Sequence, residues 1–251
     1  MKQDAQEPGK LMSHAKLEET LRAVGAERYH IHHPFHKLMN SGELTKGQMQ
    51  AWALNRFCYQ AIIPKKDAII LGKSDDPAFR REWRKRIIDH DGDDDNEGGI
   101  ARWLKLAVSL GLDKELVKSK RQALPATQFA VNAYLELVTN SSLLVAVASS
   151  LTELFSPVAI GERVPAMLKR YDYITEDTLS YFKPRMHQAP RDAEFALMMV
   201  KEWADTPDKQ QAVIEALVTK CNILWAQLDA LHHAYVEPGH IPPGAFRPED
   251  E

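Results

Sequence analysis

The stretch LVTKCNILWAQLDAL, residues 217–231, decides the fold class. Its leucines Leu217, Leu224, Leu228 and Leu231 recur at helical spacing, so they form one apolar stripe on a helix, whereas a strand would scatter them over both faces. Lys220 falls on the same stripe. An ammonium there is either a snorkelling stem, half of an internal salt bridge, or a charge waiting for a ligand anion, because an unpaired buried charge costs several kcal/mol. Outward from this segment the same spacing returns in Leu17, Leu21 and Val24, and in Phe79, Trp83 and Ile87. Breaks are expected at Gly42, Pro64, Asp75-Asp76-Pro77, Gly92–Gly99, Pro125, Pro157, Pro190 and Thr206-Pro207, where the chemistry starts or stops helices. Eight to ten helices result, with no alternating strand pattern and no internal repeat. The expected architecture is an all-α helical bundle.

The 251 residues are predicted to form a single helical domain, with a polar tail over about 1–12 and a Pro/Gly-rich tail over about 237–251. A net charge of -3 gives no field for nucleic acid or anionic membrane. Ser141 to Gly161 is apolar but carries Glu153 and Pro157, and reads as a buried helix rather than a membrane span. The two cysteines, Cys58 and Cys221, form no metal motif, and no signal peptide opens the chain, so a cytoplasmic protein is expected.

Several polar residues sit where apolar ones belong. His90 ends the stripe Phe79, Trp83, Ile87, where an imidazole either caps the helix or reaches an interior cavity as a proton carrier. Trp52, Arg56, Tyr59, Gln60 and Ile63 share one face, suited to a pocket wall. In YHIHHPFH, residues 29–36, helix geometry cannot turn four histidines toward one ion, so a surface-facing majority with one or two pocket members is expected. Glu153 is the only charge between Asn140 and Glu162, and is buried with a partner or faces a cavity. Such residues, together with Arg163, Arg185, Tyr29, Tyr134 and Tyr181, predict a cavity for a molecule bearing several carboxylates, since arginine and lysine favour such ligands and no glycine-rich phosphate loop is present.

The strings RYHIHHPFH, WALNRFCYQAIIPKKDA, RREWRKRIIDHDG, GGIARWLKLA, FAVNAY, ASSLTELFSP and TKCNILWAQLDA, in this order from about Leu17 to Tyr235, resemble the pyrroloquinoline-quinone synthase family. The resemblance implies a haem-oxygenase-like helical fold, a homodimer, and ring closure and oxidation by O2 of a ring-open quinone precursor with several carboxylates, releasing peroxide without metal or organic cofactor. A small carrier protein of the pathway is a possible partner. It implies that Tyr29, Arg56, Tyr59, Gln60, Lys66, Tyr134, Glu153, Arg163 and Lys220 contact the substrate. His90 and His30 would move protons, and His90, Tyr181 and Arg185 would stabilise reduced oxygen.

Three positions depart from that family's pattern. Cys58 stands where many members have tyrosine, Ile160 where some carry a histidine near the oxygen pocket, and Pro184 is placed to bend the helix presenting Tyr181 and Arg185. Two other classes compete. Glu27-x-x-His30 and Asp229-x-x-His232 imitate the ligand pairs of a di-iron oxidase, and a non-catalytic quinone-binding protein would need the same cavity. Haem is a weaker option, for no histidine stands out as a proximal ligand.

Overall fold

Helix starts fall where capping chemistry puts them. In the computed structural model, which describes residues 9–249, Ser13, Thr45, Asp76, Asp113, Ser142 and Thr206 each accept a first-turn backbone N–H, one of the donors a helix N-terminus leaves unsatisfied. Thr45 and Gln48 close a reciprocal capping box. Pro34, Pro64, Pro77, Pro125, Pro157 and Pro207 stand in the first two helical positions, where the missing N–H has no partner to lose. The helices are α1 (His14–Arg28), α2 (Pro34–Ser41), α3 (Lys46–Gln60), α4 (Ile63–Gly72), α5 (Pro77–Asp91), α6 (Gly98–Ser109), α7 (Lys114–Ser119), α8 (Pro125–Asn140), α9 (Leu143–Ala148), α10 (Ser156–Arg170), α11 (Phe182–Trp203) and α12 (Pro207–Tyr235). Two 3-10 turns, His30–His32 and Ser149–Phe155, join them, and the described residues contain no strand. All but α7 and α9, six residues each, are eight residues or longer, which leaves ten helices at the top of the expected range.

α12 runs through the middle against α1, α3, α8 and α9, with Leu217, Leu224, Leu228 and Leu231 buried as the stripe predicts. On α5 the inner face is Phe79, Trp83, Arg86 and His90, not Ile87, which is half-buried. Residues 79, 83, 86 and 90 follow a 4-3-4 spacing that keeps one face, and the arginine is held there by carboxylates described below. Ser141 to Gly161 is not one helix: it comprises α9, the second 3-10 turn and the start of α10. The helical run Leu143–Arg170 has the length and mean hydropathy, 1.8, of a membrane span, but half of that apolar window is buried inside the protein. Its tight turn is packed from outside by Gly25 of α1, where an added Cβ would lie 1.9 Å from the Phe155 ring.

Three further sequence expectations need correction. Pro190 does not break a helix; α11 passes through it, and the Met186 carbonyl that loses its donor lies on a residue exposed enough for water to replace it. Pro184 does not bend the helix carrying Arg185, because it lies in the first turn of α11, where its N–H is dispensable. The Pro/Gly-rich segment is not a free tail. Within residues 237–249 the Phe246 N–H donates to the Gln122 carbonyl at 2.8 Å, the Tyr235 hydroxyl donates to the Phe246 carbonyl at 2.8 Å, and Ala245 is buried. At the other end the Gln210 amide bonds both the Met12 N–H and carbonyl, at 2.8 and 2.9 Å. Of the polar tail predicted over about 1–12, residues 1–8 lie outside the described residues.

Candidate active site

A cavity of about 920 Å³, its mouth included, opens where α3, α5, α10, α11 and α12 converge. The predicted face of α3 forms one wall, with Trp52, Arg56, Tyr59 and Gln60 lining it and Ile63 extending it. Tyr181 closes the opposite side: its hydroxyl donates to Gln60 Oε1 at 2.9 Å and its ring meets Trp103 edge-on at 4.9 Å.

His90 projects from the last turn of α5 and is 2% exposed. Its Nδ1 lies 2.9 Å from the Arg86 carbonyl, which can only accept, so Nδ1 carries the proton and Nε2 holds a lone pair. That Nε2 is buried without a partner. Burial, then the Arg185 charge, pushes the imidazole down to about 3. The loop after His90 is built around two glycines with positive φ, Gly92 (90°) and Gly98 (79°). A Cβ on Gly98 would strike the His90 carbonyl at 2.6 Å, so α6 starts as close to His90 as backbone allows.

Beside His90 lies a buried charge network. Glu153 Oε2 is 2.7 Å from Arg86 Nη1, a contact of charge rather than an aligned hydrogen bond, and Glu153 Oε1 is 3.6 Å from Arg185. Burial works to raise the Glu153 carboxyl, but Arg86 and Arg185 hold it below the usual range. Behind them Asp192 lies 3.9 Å from Arg185 and 2.6 Å from Arg191, and its carbonyl accepts from Arg86 at 2.8 Å. Burial raises the Asp192 carboxyl against the pull of Arg86.

Across the cavity the charge is unbalanced. Arg56 stacks on the Tyr59 ring at 4.1 Å, and Arg163 Nη2 donates to His36 Nε2 at 2.8 Å. Among the described residues no carboxylate pairs with either. Burial, offset in part by Tyr29, lowers Arg163 to about 10. The Tyr29 and His30 rings lie 4.3 Å apart, tilted at 42°, and His30 Nδ1 meets His36 Nδ1 at 3.2 Å. Burial pushes both imidazoles well below the ordinary value, helped by Arg56 at His30 and by Arg163 at His36.

Of the residues predicted to contact a substrate, Tyr29, Arg56, Tyr59, Gln60, Glu153 and Arg163 line the cavity, as do His30, His90, Tyr181 and Arg185. Lys66, Tyr134 and Lys220 do not line it; they lie behind the Tyr59 wall. Lys66 bonds Asp67 at 2.5 Å and Ser150 at 3.2 Å, neutralised within the core. Lys220 Nζ donates to the Tyr59 hydroxyl at 2.6 Å and sits 4.2 Å and 3.8 Å from the Tyr59 and Tyr134 ring centres. Its expected carboxylate is replaced by two aromatic faces, and burial, then Arg56, keeps its pKa well below that of a free lysine. A helical spacing locates a face, not the depth of a side chain behind it.

The histidine segment departs most from expectation. Not one helix but a 3-10 turn and α2, it buries His30, His33 and His36 and exposes only His32. His33 pairs with Asp229 at 3.0 Å away from the cavity. Among the described residues the di-iron spacings assemble no ligand cluster at the cavity: Glu27 is exposed beside Arg28, while Asp229 pairs with His33. Ile160 lines the cavity; Cys58 is buried outside it. Sequence reasoning missed His36, Arg86, Asp192, Thr127 and Gln227. The Thr127 hydroxyl and the Gln227 side-chain oxygen are buried at the cavity without partners.

Fold and site together define an all-helical protein with an interior cavity rich in guanidinium groups and, in His90 Nε2, a buried imidazole nitrogen without a partner. The fold recurs in a domain of unknown function with a heme oxygenase-like fold from Shewanella denitrificans (TM-score 0.71, 16% identity, 95% of this chain and 100% of that one). It recurs again in a TenA homologue from P. horikoshii (TM-score 0.65, 12% identity, 90% and 99%). The chain belongs to the TENA/THI-4/PQQC family, which it matches over residues 18–230. It is 63% identical to the pyrroloquinoline-quinone synthase of Acidiphilium cryptum over 94% of this chain and 96% of that protein. Identity is 59% to that of Granulibacter bethesdensis, over 97% and 96%, and 57% to the bifunctional coenzyme PQQ synthesis protein C/D of Methylorubrum extorquens, over 95% of this chain and 64% of that protein.

Proposed function

We propose that this protein is a pyrroloquinoline-quinone synthase, which closes the ring of a quinone bearing amino-acid arms and oxidises it with O2, releasing hydrogen peroxide without metal or organic cofactor. The observation carrying the reading is the pairing of an unpartnered imidazole lone pair with guanidiniums that lack carboxylates. Arg56 and Arg163 pin carboxylates of the precursor, so binding energy is spent on orientation. His90 Nε2 then takes the proton released as ring closure and oxidation proceed, because among the cavity histidines it is the buried ring nitrogen whose lone pair is left free. Each two-electron oxidation of the quinol reduces one O2 to hydrogen peroxide, the two protons of the quinol ending on the peroxide. Arg185 and Tyr181 border His90 and stabilise the reduced oxygen by charge and hydrogen bonding.

The same proposal includes a cytoplasmic homodimer and a small carrier protein of the pathway as a partner; the bifunctional C/D relative joins a second PQQ-synthesis function to a chain similar to this one. Mixing the protein with the ring-open precursor without oxygen, then admitting it, tests the reading. Oxygen uptake with growth of the quinone spectrum is expected; a shift in precursor absorbance with no uptake means a binding protein, and loss of activity on chelation with stoichiometric iron means a di-iron enzyme. His90→Asn should lower turnover by about a hundredfold or more, and unchanged turnover at saturating O2 removes His90 as the base.

A further inference from the structure

Arg163 reaches the cavity through two imidazoles. A guanidinium can only donate, so its 2.8 Å contact makes His36 Nε2 an acceptor. Neutral His36 therefore carries its proton on Nδ1. The 3.2 Å contact between the two Nδ1 atoms then requires His30 Nδ1 to accept. His30 is left with its proton on Nε2, for which no protein partner exists among the described residues, and His30 lines the cavity. Protonating His30 fully would set two N–H groups head to head at Nδ1. The charges around this pair, Arg56 on α3, Arg163 on α10 and Lys220 on α12, all oppose a second proton on it, the backbone of His30 alone favours one there, and among the described residues no carboxylate pairs with either ring.

We infer that His36 is a positioning residue: it passes the obligatory donor of Arg163 through its ring and fixes His30 as a hydrogen-bond donor into the cavity. The two cavity histidines are thereby locked in opposite senses. His90 offers a lone pair because a backbone carbonyl holds its Nδ1–H, while His30 offers an N–H because His36 holds its Nδ1. Resting on the proposed function, this assigns His30 to an oxygen of the substrate that gains negative charge and leaves proton removal to His90.

Nitrogen-15 NMR of the histidines in the ligand-free protein tests the inference without substrate. Between pH 6 and 8, His30 should appear as the Nε2–H tautomer and His36 as Nδ1–H. In His36→Phe, which removes both contacts, His30 should lose its single tautomer. His36→Gln, which carries an acceptor and a donor on one planar amide, should restore Nε2–H on His30. Turnover of the precursor should fall about 10- to 100-fold in the Phe variant and recover in the Gln variant. An Nδ1–H tautomer on His30 in the native protein, or an unchanged His30 in His36→Phe, overturns the inference. Should the Phe variant not fold, the native tautomers alone decide. Correct tautomers in a protein that turns over no precursor would sink the proposed function and leave the positioning role standing.

Discussion

Lowering the pH should unfold this protein unusually steeply, and the slope follows from three buried imidazoles. His30, His36 and His90 are 5, 3 and 2% exposed, and burial sets the pKa of each below that of a free histidine, well below it for His30 and His36 and down to about 3 for His90. In the unfolded chain each protonates near 6.5. A group whose folded pKa is depressed contributes stability that is complete above its unfolded pKa and is lost as pH falls toward the folded one. Here the window opens near 6.5 for all three and, for His90, runs toward 3. Each imidazole removes about 1.4 kcal/mol per pH unit in that window, so three remove about 4 kcal/mol by pH 5.5 and roughly 6 by pH 5. A domain has about 5–15 kcal/mol to lose. His33, also lowered by burial, adds in the same direction, whereas the Asp91 and Asp192 carboxyls, raised by burial, act in the opposite direction lower in the range. Urea unfolding followed by tryptophan fluorescence at half-unit steps from pH 8 to 5.5 measures the proton uptake. His90→Asn should remove about a third of the slope. A total loss by pH 5.5 below about 1.5 kcal/mol, one proton or fewer, refutes the reasoning, because the folded protein would then be accepting charge in its core.

Glu153→Gln should cost about 3–5 kcal/mol in chemical denaturation, since it leaves Arg86 buried beside a neutral amide; a loss under 1 kcal/mol would mean that Asp192 alone neutralises the pair. Thr127→Val should raise stability by about 1–2 kcal/mol, because it removes a buried hydroxyl without a partner at nearly constant shape, and a lower melting temperature would reveal a bound water holding that hydroxyl. Lys220→Met should stabilise the protein by exchanging a desolvated ammonium for an apolar chain, while weakening precursor binding severalfold through lost charge. Unchanged affinity in calorimetric titration would confine Lys220 to packing between Tyr59 and Tyr134.

How much of this was legible in the sequence depends on the kind of signal. The leucines of α12 and the capping residues Thr45, Asp76 and Thr206 announce helices because backbone geometry enforces their spacing, and the α3 wall from Trp52 to Ile63 follows from the same arithmetic. Arg86 escaped because its side-chain type argues for the surface, although residues 79, 83, 86 and 90 hold one face; only the carboxylates of Glu153 and Asp192, distant in sequence, permit the burial. His36 escaped although helical spacing puts it on the face of Tyr29, because four histidines in one short segment argued for a surface-facing majority, and a 3-10 turn followed by Pro34 buries three of them instead. Lys66, Tyr134 and Lys220 lie on the correct faces but one layer too deep, a distance that no periodicity encodes.

The site separates two kinds of cation, and the separation bears on when its base becomes useful. Arg86 and Arg185 are neutralised by Glu153 and Asp192 on the side of His90, whereas Arg56 and Arg163 face them without carboxylates. Burial and the Arg185 charge hold His90 near 3, far too weak a base for neutral pH, where efficient proton transfer wants a pKa near the working value. On the proposed function, carboxylates held at Arg56 and Arg163 bring negative charge into the cavity, and an anion beside His90 favours its protonated form. The base therefore strengthens only when the substrate is in place. Because His30 is held as a donor by a contact internal to the protein, the same anion does not convert it into a second base, and the proton has one destination.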